Sequence, residues 1–308
     1  MKLNIVSDGN RNPKTKKSNK QSDKYSTFIL YLRPVNQKIC PFQVVAKCKN
    51  ACLNTAGLGG VYPSIQKARQ RKTDLFLNDR DEFMRLLFAD LVKIEKHCIK
   101  KGKTPAIRLN GTSDIQYELI LVNGKNVFDT FPGCTFYDYT KIPNRKISNI
   151  KNYSLTWSYS EANKKYSNYF QAVPNNIAVV FRDKFPETFK GKKVINGDLT
   201  DLRFLDPINV IVGLKAKGKA KKDYSGFVVN WLNLRSKWAA ASFKYPAITL
   251  LIEGFLCLDQ INGLARFNIS HYNDAALVLA WPKRAIYPGK YLIIISTGSG
   301  LAFFISLF

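Results

Sequence analysis

The chain has 308 residues, 45% apolar and 13% aromatic, which is enough to bury a sizeable core and excludes a disordered protein. Its 48 Lys and Arg against 22 Asp and Glu leave a net charge of +26, an excess that favours polyanionic partners, nucleic acid first and an acidic membrane second. Six cysteines are too few for a disulfide scaffold, two histidines give no Ser/His/Asp or Cys/His hydrolase pattern, and the N-terminus lacks the apolar core of a secretion signal, so a reducing, cytoplasmic compartment is expected.

Residues 1–24, polar and basic, read as a flexible arm. "YSTFILYLR" (25–33) is the first strand candidate. The loop after it, "KICPFQVVAKCKNACLNTAGLGG" (38–60), carries Cys40, Cys48 and Cys52 and ends in a glycine-rich turn. That turn is not a phosphate loop, because no Gly-Lys-Ser/Thr follows. One helix is expected over 62–72 and a stronger one over 79–101. In the second, Phe83, Leu86, Leu87, Leu91 and Ile94 recur at helical spacing, with Asp79 and Asp81 at the start, Lys100 and Lys101 at the end, and Gly102 as the stop.

Six short apolar runs follow, each closing in a polar cluster: "AIRL" in "NGTSD", "CTFY" in "DYTK", "YSLTW" in "SYSEAN", "NIAVVF" in "RDK", "KVI" in "NGDLTD" and "NVIVGL" in "KAKG". With the first strand they make seven candidates. Near-continuous apolar strands suggest a buried, mostly parallel sheet. Polar residues after each strand suggest an α/β fold of (β/α) barrel-like or partial-barrel type over residues 25–230, with its sites at the carboxyl ends of the strands; an open doubly wound sheet is the second reading. Residues 231–308 form an apolar C-terminal extension, helical in character at its start. The last 18 residues, 291–308, carry no charge and approach the ~20 residues that span a bilayer, but two glycines and four Ser or Thr argue against a membrane span.

Three thiols at C-x7-C-x3-C spacing are soft ligands, suited to zinc or to an iron–sulfur cluster. A structural zinc site needs a fourth ligand, and none is implied by the spacing. Three local cysteines without a fourth suit a [4Fe–4S] cluster with one open iron, which can bind S-adenosylmethionine; radical enzymes of this kind carry the cluster loop after the first strand of a partial barrel. The usual spacing there is C-x3-C-x2-C, with an aromatic before the third cysteine, and this chain departs from both. Gly111, Thr112 and Ser113 after the second strand, and Ser158, Ser160 and Asn163 after a later one, would line the cofactor site. Cys98 and Cys134 read as core residues.

Asp114, Asp138, Glu161, Asp183, Asp198 and Asp201 all follow strands. Converging acids would bind ribose hydroxyls or a divalent metal, as in phosphodiester cleavage, while the competing role for each is a helix cap. Asp114, Glu161 and Asp198, with Lys141, are the candidate catalytic groups. Arg108 and the run Lys215, Lys217, Lys219, Lys221 and Lys222 are the candidate nucleic-acid contacts, binding phosphates without reading bases. Tyr137, Tyr139, Trp157 and Tyr159 are either stacking groups or core. Three functions stay open: a radical S-adenosylmethionine-like enzyme acting on or near nucleic acid, a nucleic-acid-binding or phosphodiester-cleaving protein with zinc or no metal at the cysteines, and a non-catalytic accessory binding protein.

The stretches "NPKTKKSNK", "FILYLRP", "CPFQVVAKCKNACLNTAG", "ARQRKT", "AIRLNGTSDI", "FYDYTK", "YSLTWSYSEAN", "IAVVF", "INGDLTDLRFLDP" and "IVGLKAKGKAKKDYSGFVV" resemble, in order, a family of uncharacterised bacteriophage proteins. The resemblance covers about residues 10–229. It implies a phage or prophage origin and an intracellular protein, and assigns no reaction. "GLGG" stands where the resemblance leads one to expect Gly-Arg-Gly, and residues 230–308 lie outside it.

Overall fold

A computed structural model describes residues 1–230 and three strands beyond them, 275–278, 291–297 and 302–307. The chain divides into two compact units, Met1–Trp238 and Ala239–Phe308.

In the first unit, ten strands form one sheet: β1 (Val6–Asp8), β2 (Tyr25–Leu30), β3 (Thr104–Arg108), β4 (Thr135–Thr140), β5 (Tyr153–Ser158), β6 (Ile177–Phe181), β7 (Thr188–Phe189), β8 (Lys192–Asn196), β9 (Ile211–Lys215) and β10 (Val228–Val229). Their order is β1-β2-β3-β4-β5-β6-β9-β8-β7, with β10 beside β6. All seven expected strands are present and run parallel, from β2 through β6 and on to β9 and β8. The sheet is mixed α/β and mostly parallel, but it is not closed into a barrel. Antiparallel β1 ends it on one side and the antiparallel β7–β8 hairpin on the other. A barrel needs an outer ring of crossover helices. Here the two long helices, α3 (Pro63–Asn78) and α4 (Arg80–Ile99), both lie between β2 and β3, while the later connections hold only α5 (Val127–Thr130) and α6 (Lys164–Ser167).

The core follows from this layering. Phe83, Leu87, Leu91 and Ile94 of α4 pack with Phe28, Leu30, Ile107 and Phe136 of the sheet. A second aromatic cluster, with Trp157, Tyr159, Tyr166, Phe170 and Phe181, fills the space beside β5 and β6. On β3 and β4, Ala106 and Tyr137 meet Leu202 instead. Strands covered on both faces read as continuous apolar runs, which is why these were legible. Asp79 caps α4 as expected, accepting from Glu82 N at 3.0 Å.

Residues 1–24 are not a flexible arm. They supply β1 and α1 (Pro13–Gln21), whose start Asn12 caps by accepting from Lys14 N. The reason lies far away in sequence. Asp90, fully buried on α4, accepts from the backbone N–H groups of Asn4, Ile5 and Val6 at 2.7 to 2.9 Å. A carboxylate inside the core stripe of a helix needs such donors. An Asp90→Ala chain is expected to lose about 2–3 kcal/mol, the worth of hydrogen bonds to a charged group. Amide exchange at residues 4–8 should then rise well before global unfolding, and unchanged protection there would refute this account.

In the second unit, β11 (Ala275–Val278), β12 (Tyr291–Thr297) and β13 (Ala302–Leu307) form an antiparallel meander. The uncharged stretch 291–308 thus supplies two strands. The helical expectation for 231–260 lies outside the described residues. Among the described residues, no helix is long and apolar enough to cross a membrane.

Candidate functional site

A cavity of about 780 Å³ opens over the carboxyl ends of the parallel strands. Its walls include Tyr31 beyond β2, Asn110 to Asp114 beyond β3, Thr140 and Lys141 at the end of β4, Ser158 of β5 and Lys215 of β9. The N-terminal segment 7–15, the cysteine loop and the small helix α2 (Gly57–Val61) complete it.

The cysteine loop is tied down at several points. Asp114 N donates to Ile39 O at 2.9 Å, and Ser160 Oγ donates to Ala46 O at 2.8 Å. Further along, Arg69 Nη1 donates to Asn54 Oδ1 at 2.7 Å. Cys40, Cys48 and Cys52 all line the cavity, half-buried and free of disulfides. Cys40 Sγ lies 4.0 Å from Thr112 O, and Cys48 packs beside Ala51, Ala216 and Phe227. Burial pushes all three thiols up, and for Cys40 the Asp114 carboxylate and the other two cysteines add to it. The thiols are therefore close enough to feel one another. As the loop stands they do not form a coordination sphere: among the described residues no group of three or more His, Cys, Asp or Glu is arranged to hold a metal ion.

Lys141 joins them. Its Nζ donates to Ser158 Oγ at 2.8 Å and to Ser158 O at 2.9 Å, and sits 4.7 Å from the Phe227 ring centre. Burial pulls its pKa down, while Cys48, Asp114, Cys52 and Cys40 oppose the shift. Lys141 thus sits where it would offset the charge of the cysteines once they are deprotonated. The turn Gly111–Asp114 forms the facing wall. Gly111 is fixed by packing, since a Cβ there would fall 2.6 Å from Ile29 Cγ2 and 2.8 Å from Leu30 O. Thr112 Oγ1 donates to Leu32 O, and Ser113 Oγ to Asn110 Oδ1.

The acids do not converge as free ligands. Asp114 accepts from Thr140 Oγ1 at 2.8 Å and Lys141 N at 2.7 Å, and its Oδ1 lies 3.5 Å from Arg145. Asp198, at the rim, holds Lys217 at 2.7 Å and accepts from Lys215 N. Asp201 pairs with Lys14 at 3.1 Å and Arg108 at 3.0 Å. Asp138 lies buried beneath, bonded to Asn110 and Tyr153. Glu161 and Asp183 do not line the cavity; Glu161 faces Tyr159 and Lys190 instead. Ser160 and Asn163 also fall outside it, Ser160 as the clamp on Ala46 and Asn163 as the cap of α6. Trp157, Tyr137 and Tyr159 are core, whereas Tyr139 lines the cavity.

Arg108 is buried in the cavity wall. Lys215, Lys217, Lys219, Lys221 and Lys222 are exposed on the strand end and the following turn, 215–222, which Arg182 anchors by donating to Lys221 O at 2.7 Å. This turn packs against residues 53–55 of the cysteine loop.

The profile of a protein family described as Gene product 88 matches residues 4–230, well over half of the chain. The chain belongs to the Gene product 88 family. This agrees with the resemblance to a phage family, and the match ends where the described part of the first unit ends. No curated protein and no solved structure matches the chain. In this Gene product 88 protein the sequence motifs pointed to the cysteines, the 110–114 turn and Lys141. They passed over Lys14, Arg69 and Arg145. For Arg69 a signal existed: with Thr73 and Phe76 it occupies the buried stripe of α3, a position where arginine is out of place.

Proposed function

We propose that this protein is a thiol-ligated metal-centre enzyme of the radical S-adenosylmethionine kind, working at the carboxyl edge of its sheet in the reducing interior of an infected cell. One observation carries the reading: Cys40, Cys48 and Cys52 line the same cavity as the glycine-containing turn Gly111–Asp114 and Lys141. The donor chemistry fits in type, since sulfur selects soft metals, and in number, since three thiols leave an iron open. Cys40, Cys48 and Cys52 would hold a [4Fe–4S] cluster, which supplies one-electron reduction of S-adenosylmethionine when bound.

The chain's own residues do the rest. Burial keeps the free thiols protonated, so metal binding must displace protons. Lys141 supplies the charge that the resulting thiolates need, and Ser158 holds its ammonium in place. Phe42, Tyr139 and Phe227 give the cavity apolar walls that exclude water. The acid-based alternative is weaker because Asp114, Asp198 and Asp201 are each already held by cations or backbone donors.

Anaerobically purified protein is expected to be brown and to carry about four irons per chain. Cys48→Ser should lose most of that iron. Stoichiometric zinc without iron would move the cysteines to a structural role, and no metal even after reconstitution with iron and sulfide would end the reading.

The exposed lysines at 215–222 support a polyanionic partner, whether substrate or merely docked. The logarithm of the association constant for labelled single-stranded DNA is expected to fall linearly with log salt, and removing each of Lys219, Lys221 and Lys222 should reduce the slope by about 0.7. A salt-independent affinity would remove nucleic acid as partner.

A further inference from the structure

Arg69 and Arg108 are each only 8% exposed, and both line the cavity. A buried guanidinium ordinarily has a carboxylate partner, because leaving its charge uncompensated costs several kcal/mol. Arg108 shares Asp201 with Lys14. Arg69 has none among the described residues: it donates to Asn54 O and Asn54 Oδ1, both neutral, and its guanidinium carbon lies 4.8 Å from the Tyr31 ring centre. The Tyr31 hydroxyl under Arg69 accepts from Asn12 Nδ2 at 2.9 Å, and the Arg108 guanidinium lies 5.1 Å from the ring centre of Tyr139. Lys72 lies close enough to Arg69 to be affected by its charge, and Asp90, its acidic neighbour, is spent on backbone N–H groups. Among the described residues, the Nε atoms of Arg69 and Arg108 and the hydroxyl of Tyr139 are buried without a partner. Over the whole cavity, eight cationic side chains face four carboxylates.

The geometry points to a phosphoryl-binding subsite formed by Arg69, Arg108, Lys14 and Tyr139, which takes the phosphate of a nucleotide-sized ligand. Forked guanidiniums match phosphate oxygens, and a phosphate would supply the negative charge this wall lacks. A cavity of about 780 Å³ accommodates a nucleotide. The depth of the two arginines favours a mononucleotide or a terminal phosphate over the continuous backbone of a nucleic acid. Gly59 belongs to the same device: a Cβ there would fall 2.7 Å from Arg69 Nη1 and Nη2, so the small helix leaves room for the guanidinium. The inference deepens the reading above by naming what the cavity takes, but it rests on that reading only in sharing the cavity, and iron-free protein suffices to test it.

Calorimetric titration of the full-length, iron-free chain with inorganic pyrophosphate and with adenosine monophosphate, at constant ionic strength, is expected to show one saturable site. Arg69→Gln should weaken it about tenfold or more. Tyr139→Phe removes a hydroxyl that makes no bond among the described residues, so it should weaken binding severalfold with an unchanged melting temperature, and it decides the matter if Arg69→Gln does not fold. Lys93→Gln, exposed on α4, serves as the control and should change nothing. The proposal is overturned by the absence of saturable binding, by an equal loss in Lys93→Gln, by no loss in Tyr139→Phe, or by full displacement of pyrophosphate by an oligonucleotide lacking terminal phosphates. A protein that binds pyrophosphate this way and takes up no iron would sink the cluster reading and leave the subsite standing.

Discussion

Asp201→Ala is expected to destabilise the protein by about 3 kcal/mol, because it leaves the buried Arg108 guanidinium without its carboxylate and facing the partly exposed Lys14. Asp201 is 2% exposed and accepts from Arg108 and Tyr137 through one oxygen, at 3.0 and 3.2 Å, and from Lys14 through the other. Its backbone N–H donates to Ser18 Oγ at 2.8 Å, so the residue also docks α1 on the sheet. Burial alone would raise its pKa, but Arg108 and Lys14 hold the carboxyl well below the usual range. A depressed carboxylate pKa stabilises the fold above the unfolded value, near 3.9, and that stability is lost as pH falls further. Asp138 acts with the opposite sign. Burial raises its pKa to about 6, so between about pH 6 and pH 4 the folded chain takes up a proton before the unfolded chain does, and gains stability as pH falls. Urea midpoints for the wild type should therefore show a contribution rising from pH 6 towards 4 that disappears in Asp138→Asn, and a fall below pH 4 that Asp201→Ala flattens. An Asp201→Ala midpoint equal to wild type at pH 7 would refute the triad's structural weight.

Arg145→Ala is expected to cost a similar amount and to disturb the site as well. The side chain is 1% exposed and forks onto Glu118, with Nε to Oε1 at 2.8 Å and Nη2 to Oε2 at 2.5 Å. Nη1 reaches Asp114 at 3.5 Å, and Nη2 donates to Tyr153 Oη at 3.0 Å. Truncation strands two buried carboxylates, the situation that typically costs about 3–5 kcal/mol. Asp114 would lose the main group opposing the rise that burial imposes on its pKa, leaving only Thr140 and Lys141 to hold its charge. The 110–114 wall of the cavity would then loosen. Arg145→Lys keeps the charge and loses the fork, so it should fall between wild type and alanine. Equal stability of the alanine variant and wild type, or full ligand and metal binding by it, would show that this arginine does not position the wall.

Much of the first unit could be read from short stretches. The seven parallel strands, α4 with its Asp79 cap, and the run of polar turns at the strand ends depend on local periodicity and turn chemistry. The cysteine loop and Lys141 were legible for the same reason, since each follows directly on a strand. The uses of the acids were not. Asp114, Asp198 and Asp201 have the same setting in sequence, after a strand and near glycine or threonine, yet each is bound by cations from elsewhere in the chain: Arg145, Lys217, and Lys14 with Arg108.

By itself the sequence determined a basic α/β protein whose parallel strands close in polar turns, because strand, helix and turn preferences act over a few residues. Only the tertiary structure decided that the sheet stays open, that the N-terminus is anchored by Asp90, and that Arg69 lies buried without a counter-charge among the described residues. Edge pairing, ion pairing and desolvation join residues tens of positions apart, and a charge's partner is set by where the chain returns in space.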